Sequence, residues 1–299
     1  MKKLAVVGSI NIDQTVTAER IPLKGETLPG GDLRYIPGGK GANQAVAMAK
    51  LGAQVEMFGC VGDDENGRKM VANLSANGVE TGHIKVAAGV PTGIAIITVG
   101  ENDNTIIVVE GANGLVDRAY IDSVKDVLLG YDMVALQHEI PLDTVHYVVD
   151  LCAEHGIPVL LNPAPAAGVP MDIIEKVTYL TPNEHEAVLI FGKERSTEEL
   201  LKAYPEKLII TQGSRGVSVG LAGGQVLNVP ARKAEVVDTT GAGDTLNGAF
   251  CVKVVQGCGI VEALEYANAA SGLSIGKFGA QSGMPTAEEL AKLLEGDGK

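Results

Sequence analysis

Two short apolar runs, Val134-Ala135-Leu136 and Val159-Leu160-Leu161, bracket the stretch Leu142-Asp143-Thr144-Val145-His146-Tyr147-Val148-Val149-Asp150-Leu151-Cys152-Ala153-Glu154. The bracketed stretch is amphipathic at helical spacing, and the runs beside it have the length and β-branching of buried strands. Strand, helix and strand in that order make a βαβ unit, whose crossover sets the two strands parallel. The same alternation continues outward. Strand-type runs lie at 4–7, 55–60, 177–180 and 208–211, and helical patterns at 42–51, 67–76 and 241–255. The pattern predicts an α/β fold: a single domain over 1–299 with a central, mostly parallel sheet flanked by helices on both faces.

Two segments, 15–35 and 92–109, break that rhythm. Gly93-Ile94-Ala95-Ile96-Ile97-Thr98-Val99, the polar Glu101-Asn102-Asp103-Asn104 and Thr105-Ile106-Ile107-Val108-Val109 predict a β-hairpin. Strands without a helix to cross by are expected to form a small separate sheet, drawn from about 14–36 and 92–110. An apolar face on such a sheet calls for a cover, whether substrate, main domain or second subunit. Residues 295–299 read as frayed.

Composition narrows the function. Hydrophobic residues make up 45% of the 299, enough apolar surface to offset ordering entropy. Lys and Arg number 24 against 37 Asp and Glu, a net charge of −13 that argues against nucleic-acid and anionic-membrane partners. Backbone amides and a metal can still bind phosphates in an acidic protein. No apolar run approaches the roughly 18 residues that span a bilayer. Met1-Lys2-Lys3-Leu4-Ala5-Val6-Val7 superficially resembles a signal peptide but is too short for the ~7–15 apolar residues a secretory segment needs. Cys60, Cys152, Cys251 and Cys258 form no Cys-x-x-Cys pair and read as free thiols in a reducing compartment. A cytoplasmic location is expected.

The segment richest in chemistry is Asp238-Thr239-Thr240-Gly241-Ala242-Gly243-Asp244-Thr245-Leu246-Asn247-Gly248-Ala249-Phe250, which follows the β-type run Glu235-Val236-Val237 and opens a long helix. Glycines at a helix start let N–H groups converge, and the helix dipole adds positive potential, so the segment can form an anion hole for a phosphoryl group. Asp244 in the first turn can accept a proton from an attacking hydroxyl; as a plain N-terminal charge it would contribute only a few tenths of a kcal/mol. Pro37-Gly38-Gly39-Lys40-Gly41-Ala42-Asn43-Gln44-Ala45 is a second loop open to a ligand. It is not a P-loop, and GAGDTLNG does not fit the GxGxxG dinucleotide fingerprint.

Asn11 and Asp13 follow the first strand, where ligands of open α/β sheets bind, though turn formation is the commoner explanation of a lone Asn or Asp. Asn183-Glu184-His185-Glu186 could hold Mg²⁺ through water, or simply cap a helix. Thr211-Gln212-Gly213-Ser214-Arg215-Gly216, at another strand end, could receive a nucleotide or merely turn the chain. The five histidines have no metal-ligand spacing and no Gly-x-Ser-x-Gly elbow occurs, so zinc and triad chemistry find little support.

Taken together, Gly38-Gly39-Lys40-Gly41-Ala42-Asn43-Gln44-Ala45 and Asp238-Thr239-Thr240-Gly241-Ala242-Gly243-Asp244-Thr245 resemble the paired signatures of the PfkB-type sugar kinases. The likeness runs end to end, from Gly8-Ser9-Ile10-Asn11-Ile12-Asp13 through Val61-Gly62-Asp63-Asp64 to Gly279-Ala280-Gln281, and the GGKGANQA string leans towards members that act on ribose. The resemblance implies an α/β kinase whose small sheet is a lid and dimer clasp, ATP and ribose as substrates, and Mg²⁺ with a monovalent cation, usually K⁺. It assigns Asp244 as the base for the sugar O5 hydroxyl and the amides of Gly241, Ala242 and Gly243 as the anion hole. Asn11, Asp13, Gly39, Lys40, Asn43 and Glu139 match sugar-contacting positions. Asn183 and Glu186 match the segment orienting Mg²⁺–ATP; Thr211, Gly213, Ser214 and Gly216, with Gly243, match the nucleotide loop, and Asn268 lies near the adenine. Asp238 and Thr240, with main-chain oxygens around Ser274, Lys277 and Gly279, match the cation ligands. Two positions depart from the pattern: Leu246 stands where Phe is usual, and Gly283 stands where ribose-acting members often carry Ser, with Ser282 the neighbouring hydroxyl. The alternatives are a kinase for 2-deoxyribose, fructose or a nucleoside, and a non-catalytic sugar-binding protein.

Overall fold

The computed structural model describes residues 2–101 and 103–296. From the N-terminus run β1 (Lys3–Val7), β2 (Asn11–Thr17), β3 (Leu33–Gly38), α1 (Lys40–Lys50), β4 (Gln54–Phe58), β5 (Cys60–Gly62), α2 (Glu65–Ala76), β6 (Lys85–Ala87), β7 (Gly93–Gly100) and β8 (Asp103–Val109). After a 3-10 turn, Gly111–Leu115, come α3 (Arg118–Leu128), β9 (Met133–Gln137), α4 (Leu142–Glu154), β10 (Val159–Asn162), α5 (Met171–Lys176), β11 (Tyr179–Leu180), α6 (Glu184–Phe191) and α7 (Thr197–Ala203). The chain ends in β12 (Ile209–Thr211), β13 (Val217–Gly220), β14 (Val226–Val229), α8 (Ala242–Val255), α9 (Ile260–Ser274), α10 (Ala280–Gly283) and α11 (Ala287–Gly296).

The central sheet is parallel throughout, in the order β11-β10-β9-β1-β4. Single parallel bridges, Leu180 to Leu208 and Asn183 to Thr211, join its β11 edge to the antiparallel meander β12-β13-β14. Both faces of β1 are buried, which is why its sequence reads as an unbroken apolar run. Leu4 and Val6 pack with Val46 of α1 and Phe250 of α8, whereas Ala5 and Val7 pack with Ile121 of α3 and Val148 of α4.

The off-rhythm segments form a separate four-stranded sheet, β3-β2-β7-β8. β2 pairs antiparallel with β3 and parallel with β7, and β7 closes an antiparallel hairpin with β8. Strand alternation sorts its two faces. Asp13, Thr15 and Ala95 point inward and are buried, while Tyr35, Ile96 and Ile107 on the other face are 58%, 41% and 64% exposed.

Beyond shifts of one or two residues at strand ends, three expected strands turn out differently. The 55–60 run divides after Phe58, and Cys60 opens β5 to pair with β6 instead of extending β4. The 177–180 run is reduced to Tyr179–Leu180, because Val177 ends α5 through its N–H to Ile173 O at 3.0 Å. Glu235-Val236-Val237 is no strand: it meets no strand edge, and Val237 N instead bonds Ile275 O, just past α9, at 2.8 Å. The expected turn at 101–104 includes Asn102 and the frayed end includes 297–299, which lie outside the described residues. Among the described residues no helix is long and apolar enough to cross a membrane.

Candidate active site

Asn11 and Asp13 belong to β2, the first strand of the side sheet, so neither is a simple turn former. The 3-10 turn delivers Asn113 against them: Asn113 Nδ2 donates to Asn11 Oδ1 at 2.7 Å and Asn113 Oδ1 accepts from Ile10 N at 2.9 Å. Beside them, Gly39 turns the chain from β3 into α1 with φ of 90°, and a Cβ there would sit 2.8 Å from Asn11 N. That close approach sets the α1 N-terminus against the start of β2. Glu139, two residues past β9, fastens the junction, its Oε2 accepting from Ser9 Oγ at 2.6 Å and Lys40 N at 2.9 Å.

α8 starts in the same region. Gly241 holds φ 77° and ψ 2°, the left-handed conformation that glycine adopts without cost, and frees the next amides to lead into the helix. Asp244 is buried in the first turn. Its Oδ2 accepts from Asn43 Nδ2 at 2.9 Å and its Oδ1 from Gln44 Nε2 at 3.3 Å. Gln44 is in turn set by Gln137 Nε2, which donates to its Oε1 at 2.7 Å, while Gln281 Nε2 donates to Asn43 Oδ1 at 3.0 Å.

Burial and like charge load this cluster electrostatically. Burial, then the carboxylates of Glu139 and Asp244, pushes Asp13 up to about 7. Asp13 Oδ1 has no hydrogen-bond partner within the protein, so it is free for a ligand hydroxyl. Burial also raises Asp244, against the opposing pull of Lys40 and the Asn43 bond. Burial alone would lower Lys40, but Asp244, Glu139 and Glu186 outweigh it and hold the ammonium above its usual range. The cluster therefore offers one cation, a basic carboxylate and several hydroxyl acceptors in a small space.

On the far side of the α8 start lies a cavity of about 470 Å³. Thr211, Gly213, Ser214, Gly216, Gly243 and Asn268 line it, all marked from sequence. Ala242, Leu246, Arg232, Lys233 and Ser271 line it too, and of these Arg232, Lys233 and Ser271 carry no motif that sequence reading could catch. Asn268 spends its amide on the chain itself, Nδ2 donating to Pro230 O at 2.6 Å and Val229 O at 3.3 Å. Asn183 and Glu186 stand outside this lining. They form a reciprocal capping box at α6, each accepting the other's backbone N–H at 2.8 Å, and Asn183 is bridged to Thr211.

The remaining marked residues gather around Asp238, just before the α8 start, and the turn that follows α9. Asp238 Oδ1 accepts from Thr240 N at 2.9 Å and Thr240 Oγ1 at 2.6 Å, and its Oδ2 from Gly279 N at 2.8 Å. Burial alone would raise Asp238, but these bonds hold its carboxyl below the usual range. Gly283 presses against the carbonyls of Ser274 and Lys277: a Cβ there would sit 2.1 Å from Ser274 O and 3.5 Å from Lys277 O. Ser282 Oγ turns back to the carbonyls of Phe278 and Gly279. The side sheet reaches this loop directly, with the Arg34 guanidinium 4.9 Å from the centre of the Phe278 ring.

The family model for the pfkB family carbohydrate kinases matches residues 1–287 of the chain. The ribokinase of Bacillus subtilis strain 168 is 47% identical over 294 residues, covering 98% of this chain and 100% of the relative. The crystal structure of Thermotoga maritima ribokinase superimposes with a TM-score of 0.90 at 33% identity, covering 99% and 100% of the two chains. Arabidopsis thaliana ribokinase, solved in complex with ribose and ATP, gives 0.87 at 32% identity and 99% coverage of both chains.

Proposed function

The chain belongs to the pfkB family of carbohydrate kinases, and from that membership we propose that it transfers the γ-phosphoryl group of ATP to the O5 hydroxyl of D-ribose, giving ribose 5-phosphate and ADP. One observation carries the reading. The first turn of α8 faces two ways, with Ala242 and Gly243 lining the 470 Å³ cavity while Asp244 bonds Asn43 in the carboxylate cluster. Donor and acceptor would then meet across a single helix start.

In this reading Asn11, Asp13, Gly39, Lys40, Asn43 and Glu139 hold the sugar. Its hydroxyls donate to the buried carboxylates, which suits a neutral polyol better than an acid. Asp244, made more basic by burial, takes the O5 proton as O5 attacks phosphorus. The amides of Gly241, Ala242 and Gly243, with the α8 dipole behind them, receive the oxygens of the transferring group. Thr211, Gly213, Ser214 and Gly216 cradle the nucleotide, and Asn268, by bonding the carbonyls of Val229 and Pro230, shapes the adenine end. The β3-β2-β7-β8 sheet closes over the sugar as a lid and excludes water, the competing nucleophile.

Mg²⁺ bound with ATP supplies charge neutralisation on the phosphates. Glu186 lies close enough to Lys40 to raise it, and with Asn183 it orients the metal–nucleotide from the α6 cap. A monovalent cation, K⁺, fits the Asp238 loop, where one ionised carboxylate and Thr240 meet the segment carrying the carbonyls of Ser274, Lys277 and Gly279. Its charge would strengthen the positive end of the anion hole. The exposed apolar face of the lid, with Tyr35, Ile96 and Ile107, suits a second copy of the chain, making a homodimer. Four free cysteines and a need for ATP suit the cytoplasm.

The test is ADP release from Mg²⁺–ATP with ribose, 2-deoxyribose, fructose, adenosine and ketodeoxygluconate, with and without K⁺. Ribose turnover well above the rest, stimulated by K⁺, is expected. Turnover on another sugar alone would discard the substrate, and no turnover on any of them would discard ribose as substrate and favour a non-catalytic sugar-binding protein.

A further inference from the structure

A carboxamide side chain carries a donor at one end and an acceptor of almost the same size at the other, so packing alone does not decide which way round it sits. Around Asp244 the direction is set by a chain of hydrogen bonds. Asn73 Nδ2, on α2, donates to Gln281 Oε1 at 2.7 Å. Gln281 Nε2 donates to Asn43 Oδ1 at 3.0 Å, and Asn43 Nδ2 donates to Asp244 Oδ2 at 2.9 Å. Every link runs donor to acceptor in the same sense. Asn73 is itself fixed at the outer end, where its Oδ1 and carbonyl O accept from Asn77 Nδ2. Turning one amide in this series turns the next, and the last turn would bring Asn43 Oδ1 against the Asp244 carboxylate, two acceptors with no proton between them.

Gln281 is the middle of the chain and is buried. Its backbone cannot drift, because Lys50 Nζ donates to Gln281 O at 2.6 Å and to Met284 O at 3.2 Å. It does not line the nucleotide cavity. Both polar atoms of its side chain are consumed by Asn73 and Asn43, and a buried network pays only when every member is satisfied.

We propose that Gln281 is a positioning residue for the transfer step: it fixes the direction of the Asn43 carboxamide, so that an N–H and not an oxygen faces Asp244. The inference rests on the reading of Asp244 as the proton acceptor.

The test compares variants that delete the link with variants that reverse it. Gln281→Leu removes both bonds, whereas Gln281→Glu keeps the shape but can only accept, which draws the Asn43 N–H away from Asp244. Asn73→Ala and Asn73→Asp make the same contrast one residue further out, at a partly exposed helix position. Folding is checked by circular dichroism, and the Asn73 pair carries the test if the Gln281 variants do not fold. The expected result is a kcat about 10-fold lower in Gln281→Leu and about 100-fold lower in Gln281→Glu, in keeping with bonds to a charged group. Asn73→Asp is expected to lose about 10-fold and Asn73→Ala about 2-fold, with the KM for ATP within about 2-fold throughout. A merely space-filling Gln281 would make the Leu variant the worse of its pair and leave Asn73→Asp at wild-type rate, and that result overturns the proposal. Asp244→Asn is measured alongside. If it is inactive while the reversing variants are normal, the inference fails alone; if it is active, the underlying reading fails with it.

Discussion

Asn43 Nδ2 and Asp244 Oδ2 stand 2.9 Å apart although 201 positions separate them in the chain. The bond ties the glycine-rich start of α1 to the glycine-rich start of α8. Each loop alone is an ordinary way to begin a helix. Joined, they put a buried carboxylate beside a sugar-sized cluster of polar groups on one side and a nucleotide-sized cavity on the other.

Two alanine substitutions in the α8 loop should separate folding from chemistry. A Cβ on Gly241 would sit 2.8 Å from the Ala280 Cβ in a left-handed conformation, so Gly241→Ala is expected to lower both melting temperature and kcat. A Cβ on Gly243 meets nothing within 4 Å. Gly243→Ala should keep or raise the melting temperature, since alanine is favoured in helices by up to about 1 kcal/mol, yet cut kcat by filling the place of the phosphoryl oxygens. Thermal melts and ADP release on both variants check this.

Asp13 gives a pH signature with a definite sign. Its folded carboxyl titrates at about 7 against an ordinary 3.8, so between those values the native state holds a proton that the unfolded chain has lost. Stability conferred by this group therefore falls as pH rises from about 4 to 7 and levels off above. Asp13→Asn should raise the unfolding free energy at pH 8 by on the order of a few kcal/mol, and the melting temperature with it, and leave both unchanged at pH 4. The same variant should lose ribose turnover if, as proposed, the ionised oxygen accepts a sugar hydroxyl. Melts at the two pH values, with kcat/KM for ribose, decide it.

The turn between α9 and α10 leaves no room at Gly283. Any side chain would push on Ser274 O, which a Cβ would approach to 2.1 Å, and so on the proposed cation carbonyls. Gly283→Ser, although Ser is a residue that the family resemblance leads one to expect here, should destabilise the fold by about 1–3 kcal/mol and weaken the proposed activation by K⁺. Titration of ADP release with KCl, compared with NaCl, reads the second effect.

A charge on the exposed face of the β3-β2-β7-β8 sheet tests the proposed dimer. Ile107 is 64% exposed and lies on the sheet face opposite Asp13. Ile107→Glu should shift the sedimenting species from dimer to monomer, since an unpaired carboxylate would be buried at the interface. A wild-type protein that sediments as a monomer would remove the dimer from the account.

The layered fold was legible because a doubly buried parallel sheet leaves continuous apolar runs, as in Ala5, Val6 and Val7, with helices spaced between them. The side sheet was legible as an interruption of that rhythm. Glu235-Val236-Val237 misled because β-branched composition says nothing about whether a strand edge is available to pair with. The residues marked by glycine spacing, such as Gly39 and Gly241, stand where a backbone turn is required. Gln44, Gln137 and Gln281 could not be given roles from the sequence, since an amide's role depends on partners over 90 or 200 residues away. Asn113, which aligns Asn11, lies in a 3-10 turn with no motif of its own.

The most direct test of phosphoryl transfer at the α8 start is Asp244→Asn, with kcat measured by ADP release and ribose affinity by calorimetry. The expected result is a kcat lower by about 100-fold or more with ribose binding largely intact, because the carboxamide keeps the shape but cannot take the O5 proton. A near-normal kcat in a folded Asp244→Asn enzyme would contradict the account.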